Sequence, residues 1–484
     1  MKFRKDKTSL NYFVNTLYQL MLVMIPLFTM PHLSRTLGAE GIGLFSFNNS
    51  IVSYFILFAV LGSGSYGQRE IAYHQDDKAE YSRIFWEIEV MRVVCSIISL
   101  LVLCGYIFKF GRNPVVLLIL SFNVVNVFFD ISWLYMGLEK FGPLAIRNIV
   151  VRCIYVFSIF KFVNGPEDIY VYIVIEVSAT LIQSSIMWIG LHKLVDKPRK
   201  LQPLRHFKDI FRLFLPSLAI QLYTVLDKTM LGMFSVDSYA ENGYYEQAQG
   251  IVRSCLVLIS SLVMVMSPKI SYCYANGEHE EMRKHLYFSY RFVWLITVLL
   301  LVTVSILSPY LIPLFLGPAF SKTIILVQIC TPMFIIIGLS NVTGLQYFVP
   351  CDHIRSHTCS LIVGSVVNIL LNLLLIPSFH AVGASIASVA AELCVTITQF
   401  VFLYKLKDLK MIRIFISSWK YLLAGLISGI ILLISRSFLE MSWFNLIILL
   451  LIEFISYLGI LFMLRDEMII GYVRKLRSRM NERK

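Results

Sequence analysis

Charge is scarce in this sequence. Of 484 residues, 15% are Asp, Glu, Lys or Arg and 57% are hydrophobic. A soluble globule carries roughly a quarter charged residues, so this chain has too little charge to cover itself in water. The guide of one domain per about 150 residues therefore does not apply. The signatures of several chemistries are missing too. No GxxxxGK[ST] occurs, which removes a P-loop nucleotide site, and no HExxH occurs. There is no CxxC, and most of the nine cysteines fall in apolar runs, so they read as packing thiols. Cys351, Asp352, His353 and His357 match ligand spacing only loosely and read as a loop, and Asp76-Asp77 is an isolated acidic pair. No intramembrane Ser/His/Asp or paired-carboxylate set stands out. No catalytic residue, metal or cofactor is expected, and transport is favoured over catalysis. Acids are also short, 30 against 43 basic residues, for a net charge of +13. A basic balance can mean nucleic acid. Here the cations sit at the start, between apolar runs and in the last twenty residues, which is membrane-topology charge, so no nucleic acid is expected.

What is present is long apolar runs. A membrane span needs about 20 mostly apolar residues. Spans are expected near 10–30, 43–66, 86–108, 114–136, 144–163, 169–190, 212–234, 243–267, 287–307, 323–349, 358–376, 381–404, 417–435 and 443–464. The basic stretch Met1 to Lys7 followed by apolar residues has the look of a signal peptide. The run is too long for one and lacks a small-residue cleavage site, so it reads as a retained first helix. Continuous apolar runs exclude alternating barrel strands, and backbone groups in lipid then demand helices.

Positive charge marks the cytoplasmic side of membranes. With these spans, 32 of the 43 basic residues fall on the side shared by the two termini. The other side holds Arg35, Lys109, Arg112, Lys161, Lys322 and Arg436, and Arg92, Arg152, Lys228, Arg253 and Arg291 lie within spans. The asymmetry predicts cytoplasmic termini and supports the span count.

The chain divides into similar halves. Gly41-Ile42-Gly43-Leu44-Phe45 opens the second span and Glu241-Asn242-Gly243-Tyr244-Tyr245 the eighth. Glu176, Thr180 and Gln183 in the sixth span recur as Glu392, Thr396 and Gln399 in the twelfth, an offset of 216. The expected fold is an all-α polytopic membrane protein of about fourteen spans. Two six-helix lobes, related by a pseudo-two-fold along the membrane normal, would be followed by a terminal helix pair. The expected divisions are an N-lobe over 1–190, a basic cytoplasmic linker over 191–211, a C-lobe over 212–404, and a last pair with its basic tail over 405–484.

Several spans carry polar faces at helical spacing. They include Asn11, Asn15 and Tyr18; Asn123, Asn126 and Asp130; Asn148, Arg152 and Tyr155; Ser217, Gln221, Thr224 and Lys228; Glu246, Gln249, Arg253 and Ser260; and Ser365, Asn368 and Asn372. Polar side chains in bundles commonly bond helix to helix. A full charge needs more: water, a partner or an anionic ligand. Lys228 has Asp227 beside it as a candidate partner, whereas Glu246 is too far along the helix to pair with Arg253. Glu176, Glu392, Asp130 and Asp227 are the candidate acids, either paired with a resident cation or able to take a coupling proton or Na+. Glu87 and Glu89 read as interfacial acids flanking Arg92.

The stretch Ile25-Pro26-Leu27, Pro31-His32-Leu33-Ser34-Arg35-Thr36-Leu37-Gly38-Ala39-Glu40-Gly41-Ile42-Gly43, then Gly67-Gln68-Arg69-Glu70-Ile71-Ala72, resembles the opening of Wzx-type polysaccharide flippases of the MOP superfamily. Val382-Gly383-Ala384-Ser385-Ile386-Ala387-Ser388 resembles that family's small-residue segment. The resemblance implies a V-shaped pair of lobes around a central cavity, alternating access, and an undecaprenyl-pyrophosphate-linked oligosaccharide as cargo. Membrane lipids and polysaccharide polymerase or export machinery are the implied partners, and the bacterial inner membrane the implied location. Arg253 and Lys228 are the candidates for diphosphate contact, with Arg152 and Arg35 as further cations of the cavity. Asn15, Gln221, Tyr223, Tyr244 and Tyr245 are the candidates for sugar contact. Lipid II flippases carry several arginines in their first two helices, where these spans have none, and drug-exporting relatives carry an acid in the first helix, which is acid-free here from Ser9 to Met30. Another MOP exporter, and a membrane polymerase or glycosyltransferase, are the alternative readings.

Overall fold

The computed structural model describes residues 2–197, 200–416, 418–471 and Arg474. Side chains are described from residue 21 onward, except those of 22–23, 141–146, 215–217, 219–220 and 222–223. Helices account for nearly all of it, and no strand occurs among the described residues. Lipid offers the backbone no hydrogen-bond partners, and the helix satisfies each N–H and C=O within its own segment.

The helices in chain order are α1 (Lys2–Val60), α2 (Ser63–Tyr73), α3 (Lys78–Phe110), α4 (Pro114–Phe129), α5 (Ser132–Gly137), α6 (Phe141–Phe162), α7 (Ile169–Ser185), α8 (Leu191–Leu194), α9 (Phe207–Phe234), α10 (Ser238–Ala275), α11 (His279–Phe315), α12 (Ser321–Cys330), α13 (Met333–Asn341), α14 (Ile354–Leu406), α15 (Met411–Ile416), α16 (Trp419–Ser437) and α17 (Trp443–Met463). Nine helical segments among the described residues are long and apolar enough to cross a membrane, or ten if one bent pair counts as a span. Two of these helices each hold two expected spans. α1 breaks at Gly38, where φ is 67° and ψ −179°, between the first and second. α14 breaks at His380, where φ is 50°, between the eleventh and twelfth. The expected tenth span is bent by 48° between Cys330 and Met333. Pro332 lies at that bend, where it donates no backbone bond. A π-helical turn, Val342–Phe348, completes that span.

The chain forms two compact units, Met1–Glu246 and Gln247–Lys484. The division falls inside α10 rather than in the 191–211 segment, because α9 packs on α1 and α2 within the first unit. In that unit α1 also lies against α3, α4 and α6, and α7 against α4 and α6. In the second, α11 contacts α12, α13, α16 and α17, while α14 packs on α12 and α13.

Buried polar groups tie the helices of the second unit. The Tyr290 hydroxyl and Thr343 Oγ1 lie 2.8 Å apart, and Gln346 donates to Ser289 at 2.7 Å. Gly344 in the π-helical turn leaves room for His357 and Gln399, whose atoms lie 2.7 and 2.9 Å from where a Cβ would stand.

The 191–211 segment is docked, not loose. Tyr81 donates to the Leu194 carbonyl at 2.7 Å, and the Trp86 indole donates to the Asp196 carbonyl at 2.9 Å. Glu87 is fully buried and accepts the Gln202 N–H at 2.8 Å, with Arg205 Nε at 2.7 Å and His206 Nε2 at 2.9 Å. The Tyr66 hydroxyl reaches His206 Nδ1 at 2.8 Å. Burial holds the His206 pKa below its usual value, with Glu87 and Glu70 opposing that shift and Arg205 adding to it. Glu87, Glu89 and Arg92 are thus covered by protein, not open at a helix end. α3 starts at Lys78, eight residues before its expected start, and all three side chains are buried.

The matching glycines of the two halves meet within the first unit. A Cβ on Gly43 would stand 1.6 Å from the Tyr239 carbonyl oxygen and 2.7 Å from the Gly243 nitrogen. One on Gly243 would stand 1.9 Å from the Ala39 oxygen. Small residues at such crossings let backbones approach. Gly43→Ala should therefore destabilise the protein by about 1–3 kcal/mol, the usual range for overpacking. Gly64→Ala, with nothing within 4 Å of its Cβ, should be near neutral. Thermal unfolding followed by tryptophan fluorescence in detergent separates the two.

Candidate functional site

The polar residues of the first unit gather where the start of α10 and the end of α9 meet the later half of α1. Lys228 Nζ lies 2.5 Å from Glu246 Oε2, and Ser46 donates to the same oxygen at 2.6 Å. Asn242 donates to the Lys228 carbonyl at 2.7 Å. Asp227 is buried, and the Tyr245 hydroxyl donates to its Oδ2 at 2.5 Å. The expected Asp227–Lys228 pair therefore gives way to two separate contacts. Neighbouring helical residues are turned by about 100° from one another, so each meets a different group of α10. Thr229 bonds to Ser50 at 2.8 Å and to Tyr54 at 3.3 Å, which fastens α9 to α1.

A second cluster joins this one through α6 and α7. Arg152 is half-buried, with its guanidinium carbon 5.6 Å from the Tyr155 ring centre. Its Nε is buried with no hydrogen-bond partner among the described residues. Tyr155 and Tyr172 are both buried, and their hydroxyls face each other and the Glu176 carboxylate. Glu246 is the next acid that Tyr172 faces. Arg152, Tyr155, Tyr172 and Glu176 thus form one cluster of charge and hydroxyl, whose field is felt together with that of Glu246 at Tyr172. Such a cluster offers a cation to an anion and hydrogen bonds to a polyol.

The other expected site residues are dispersed. Gln221 is half-buried on α9, and its carbonyl accepts from Thr224 at 3.4 Å. Arg35 is exposed just before the Gly38 break. Asn15 and Tyr223 lie outside the residues whose side chains are described. Asp130 Oδ1 accepts the Ser132 N–H at 3.0 Å, at the entry to α5. It also faces buried Glu89, which lies 3.9 Å from Arg92 Nε. Arg253 belongs to the second unit, is exposed, and forms no ion pair among the described residues. Glu392, also in the second unit, is half-buried. Thr396 donates to the Glu392 carbonyl at 3.0 Å, as Thr180 does to that of Glu176 at 2.7 Å, so the repeated motif carries the same local bond in each unit.

Sequence reasoning did not assign Ser46, Tyr172, Glu89 or Arg92 to a site. It placed Glu246 on a polar face without its partner Lys228. The i, i+4 spacing of Tyr172 and Glu176 on one helix face was the available signal for Tyr172. Nothing local points Ser46 to Glu246.

Residues 10–273, more than half of the chain, match the family described as "Polysaccharide biosynthesis protein". The chain belongs to this family. It is 28% identical over 396 residues to the "Putative O-antigen transporter" of Escherichia coli (strain K12), covering 78% of this chain and 92% of that one. The fold is similar to that of "Lipid II flippase MurJ, inward closed conformation", with a TM-score of 0.75 at 16% identity over 94% of this chain and 99% of that one. It is also similar to an inward-facing MATE family multidrug resistance transporter of the MOP superfamily, with a TM-score of 0.58 at 14% identity over 80% and 97%. The protein is thus an all-α, multi-pass membrane protein of the polysaccharide biosynthesis family, with the fold of these flippases and transporters.

The Lys228–Glu246 contact yields a prediction. Removing one partner of a shielded ion pair strands the other charge, whereas replacing both with apolar residues is often neutral. Glu246→Ala should cost about 1–3 kcal/mol, less than for a fully dry pair because Glu246 keeps 30% of its side chain exposed. Lys228→Met with Glu246→Leu should recover most of that loss in thermal unfolding of the purified protein.

Proposed function

We propose that this protein flips undecaprenyl-pyrophosphate-linked oligosaccharide repeat units across the bacterial inner membrane by alternating access, for polysaccharide assembly. Membership of the polysaccharide biosynthesis family is the observation that carries this reading, and the likeness to the E. coli transporter adds to it. The physics is compatible. A diphosphate-sugar head cannot cross hydrocarbon unaided, because burying a charge without a partner is prohibitive. Its isoprenoid tail can stay in lipid if the protein opens sideways.

In this proposal Lys228, Arg152 and Arg253 meet the diphosphate, with Arg35 at the outer end. Tyr245, Tyr223, Gln221 and Asn15 serve the sugar. Glu246 neutralises Lys228 when no cargo is bound, and the incoming diphosphate takes its place on the ammonium. Glu176, Asp227, Glu392 and Asp130 are the acids proposed for a coupling H+ or Na+. Glu176 is the best placed of them, beside two tyrosine hydroxyls and half-buried. Asp130 is the least available, because its carboxylate already accepts the Ser132 N–H at the start of α5. Cytoplasmic termini, fourteen spans, lobes over 1–190 and 212–404, and contact with polymerase or export machinery belong to the same proposal.

An intramembrane cation is a functional candidate by default, and Arg253 has no ion-pair partner among the described residues to account for it otherwise. In a polymer-producing strain that lacks its own flippase, Arg253→Ala should abolish surface polymer while the protein still reaches the membrane at wild-type levels. Wild-type polymer from that variant would remove Arg253 from the cargo path.

A further inference from the structure

A basic cleft of about 590 Å³ opens in the second unit between the start of α11 and the turn that joins α14 to α15. Arg283, Lys284, Arg291, Lys407, Lys410 and Arg413 line it. Three of the six are already paired, Arg283 with Glu280 and Asp408 of the cleft itself. Arg283 bonds to Glu280 at 2.9 Å and to the Asp408 carbonyl at 2.8 Å, Lys284 to Glu281 at 2.7 Å, and Arg291 to Glu467. The one acid of the turn, Asp408, receives the Tyr347 hydroxyl. Lys407, Lys410 and Arg413 are exposed and have no carboxylate in salt-bridge contact among the described residues.

The turn that carries Lys407 and Lys410, and the start of α15 that carries Arg413, are held in place at the backbone. Lys407 adopts a left-handed conformation at φ 57°. The Tyr287 hydroxyl accepts the Lys410 N–H at 2.8 Å, and Arg413 stacks with its guanidinium carbon 4.7 Å from the centre of the same ring. A cluster of cations on a held backbone, forked in the case of arginine, suits phosphate oxygens.

The cleft does not end in water alone. A second cavity of about 180 Å³ shares Arg291 and Arg413 with it and continues along Ile416, Trp419 and Lys420 on one side, with Tyr421, Asp466 and Glu467 on the other, where Asp466 takes the Tyr421 hydroxyl and Glu467 pairs with Arg291. Ile412, Ile416 and Trp419 are 69%, 61% and 51% exposed. A soluble anion has no use for an apolar wall beside its phosphate, whereas an anionic lipid needs one for its acyl chains. Tryptophan with flanking lysine and arginine also marks the headgroup level of a bilayer. We infer that this cleft binds the phosphate headgroup of an anionic glycerophospholipid, its chains lying along Ile412, Ile416 and Trp419. Basic pockets between helices at the charge-rich face of a membrane protein serve this purpose generally. The site is separate from the Lys228–Glu246 network and does not depend on the nature of the cargo.

Native mass spectrometry of the purified full chain in a neutral detergent tests this, with tetraoleoyl cardiolipin and dioleoylphosphatidylcholine added in equal amounts. Cardiolipin should be retained over phosphatidylcholine by about tenfold or more, given what each lysine or arginine contributes near an anionic headgroup. The triple variant Lys407→Gln, Lys410→Gln, Arg413→Gln should lose that preference. A control removing the same charge elsewhere, Lys193→Gln, Lys208→Gln, Lys269→Gln, should keep it. All six side chains are exposed, so both variants should fold. The inference is overturned if the first triple variant retains cardiolipin like wild type, or if the control loses as much. It is equally overturned if inorganic pyrophosphate at the same concentration strips the bound cardiolipin, because the cleft then takes a soluble anion.

Discussion

A charge carried into hydrocarbon must be met by another charge, by a hydrogen-bonding group or by water, and this requirement organises the first unit. Lys228 reaches Glu246, whose oxygen also takes the Ser46 hydroxyl. Asp227, one residue away, is met by Tyr245. Each contact joins two of α1, α9 and α10, so the same bonds that satisfy the charges also set the helices. The close approach of Gly43 and Gly243 makes this possible, since any side chain there would hold the two backbones apart. Removing either glycine would separate the elements that carry the network.

The same rule explains why the network is both stable and usable. Arg152, Glu176 and Lys228 each keep part of their surface open, and between them stand the hydroxyls of Tyr155 and Tyr172. Desolvation is therefore incomplete, and this is what the proposed exchange of Glu246 for another anion on Lys228 relies on. A fully dry pair could not be exchanged this way. Glu87 shows the contrasting case. It is fully buried and takes contacts from Gln202, Arg205 and His206, which anchors the 191–206 segment against α3.

Much of this was legible in the sequence, and what was not has physical reasons. Hydropathy pointed to membrane-spanning helices because lipid demands long apolar runs, and nine or ten among the described residues are long and apolar enough, while the breaks within them were hidden. Gly38 shows as a turn residue, but His380 at φ 50° does not announce itself. The repeated Glu-x3-Thr motif was visible, and its two threonines make the same bond. The partner of Lys228 was not visible, because α9 and α10 bring together residues eighteen apart whose pairing depends on how the helices cross. The burial of Glu89 and Arg92 was hidden for a related reason. Charge close to an expected helix end suggests an interface, but α3 begins eight residues earlier and is covered by α4 and α2. The 191–211 segment was read from its charge and prolines as a linker. Its docking rests on Glu87, more than a hundred residues upstream, and no local pattern predicts that.

The central claim is that the polar network moves a diphosphate-linked sugar between leaflets. The most direct measurement is dithionite quenching of a fluorescent undecaprenyl-pyrophosphate-linked oligosaccharide in vesicles reconstituted with the purified protein. The account predicts that wild-type protein renders both leaflets' probe accessible within the assay, that Lys228→Gln slows this by about tenfold or more, the cost of about 1.4 kcal/mol in the barrier, and that a fluorescent phosphatidylcholine is not moved. Equal rates for the two probes, or no acceleration by the wild-type protein, would contradict it.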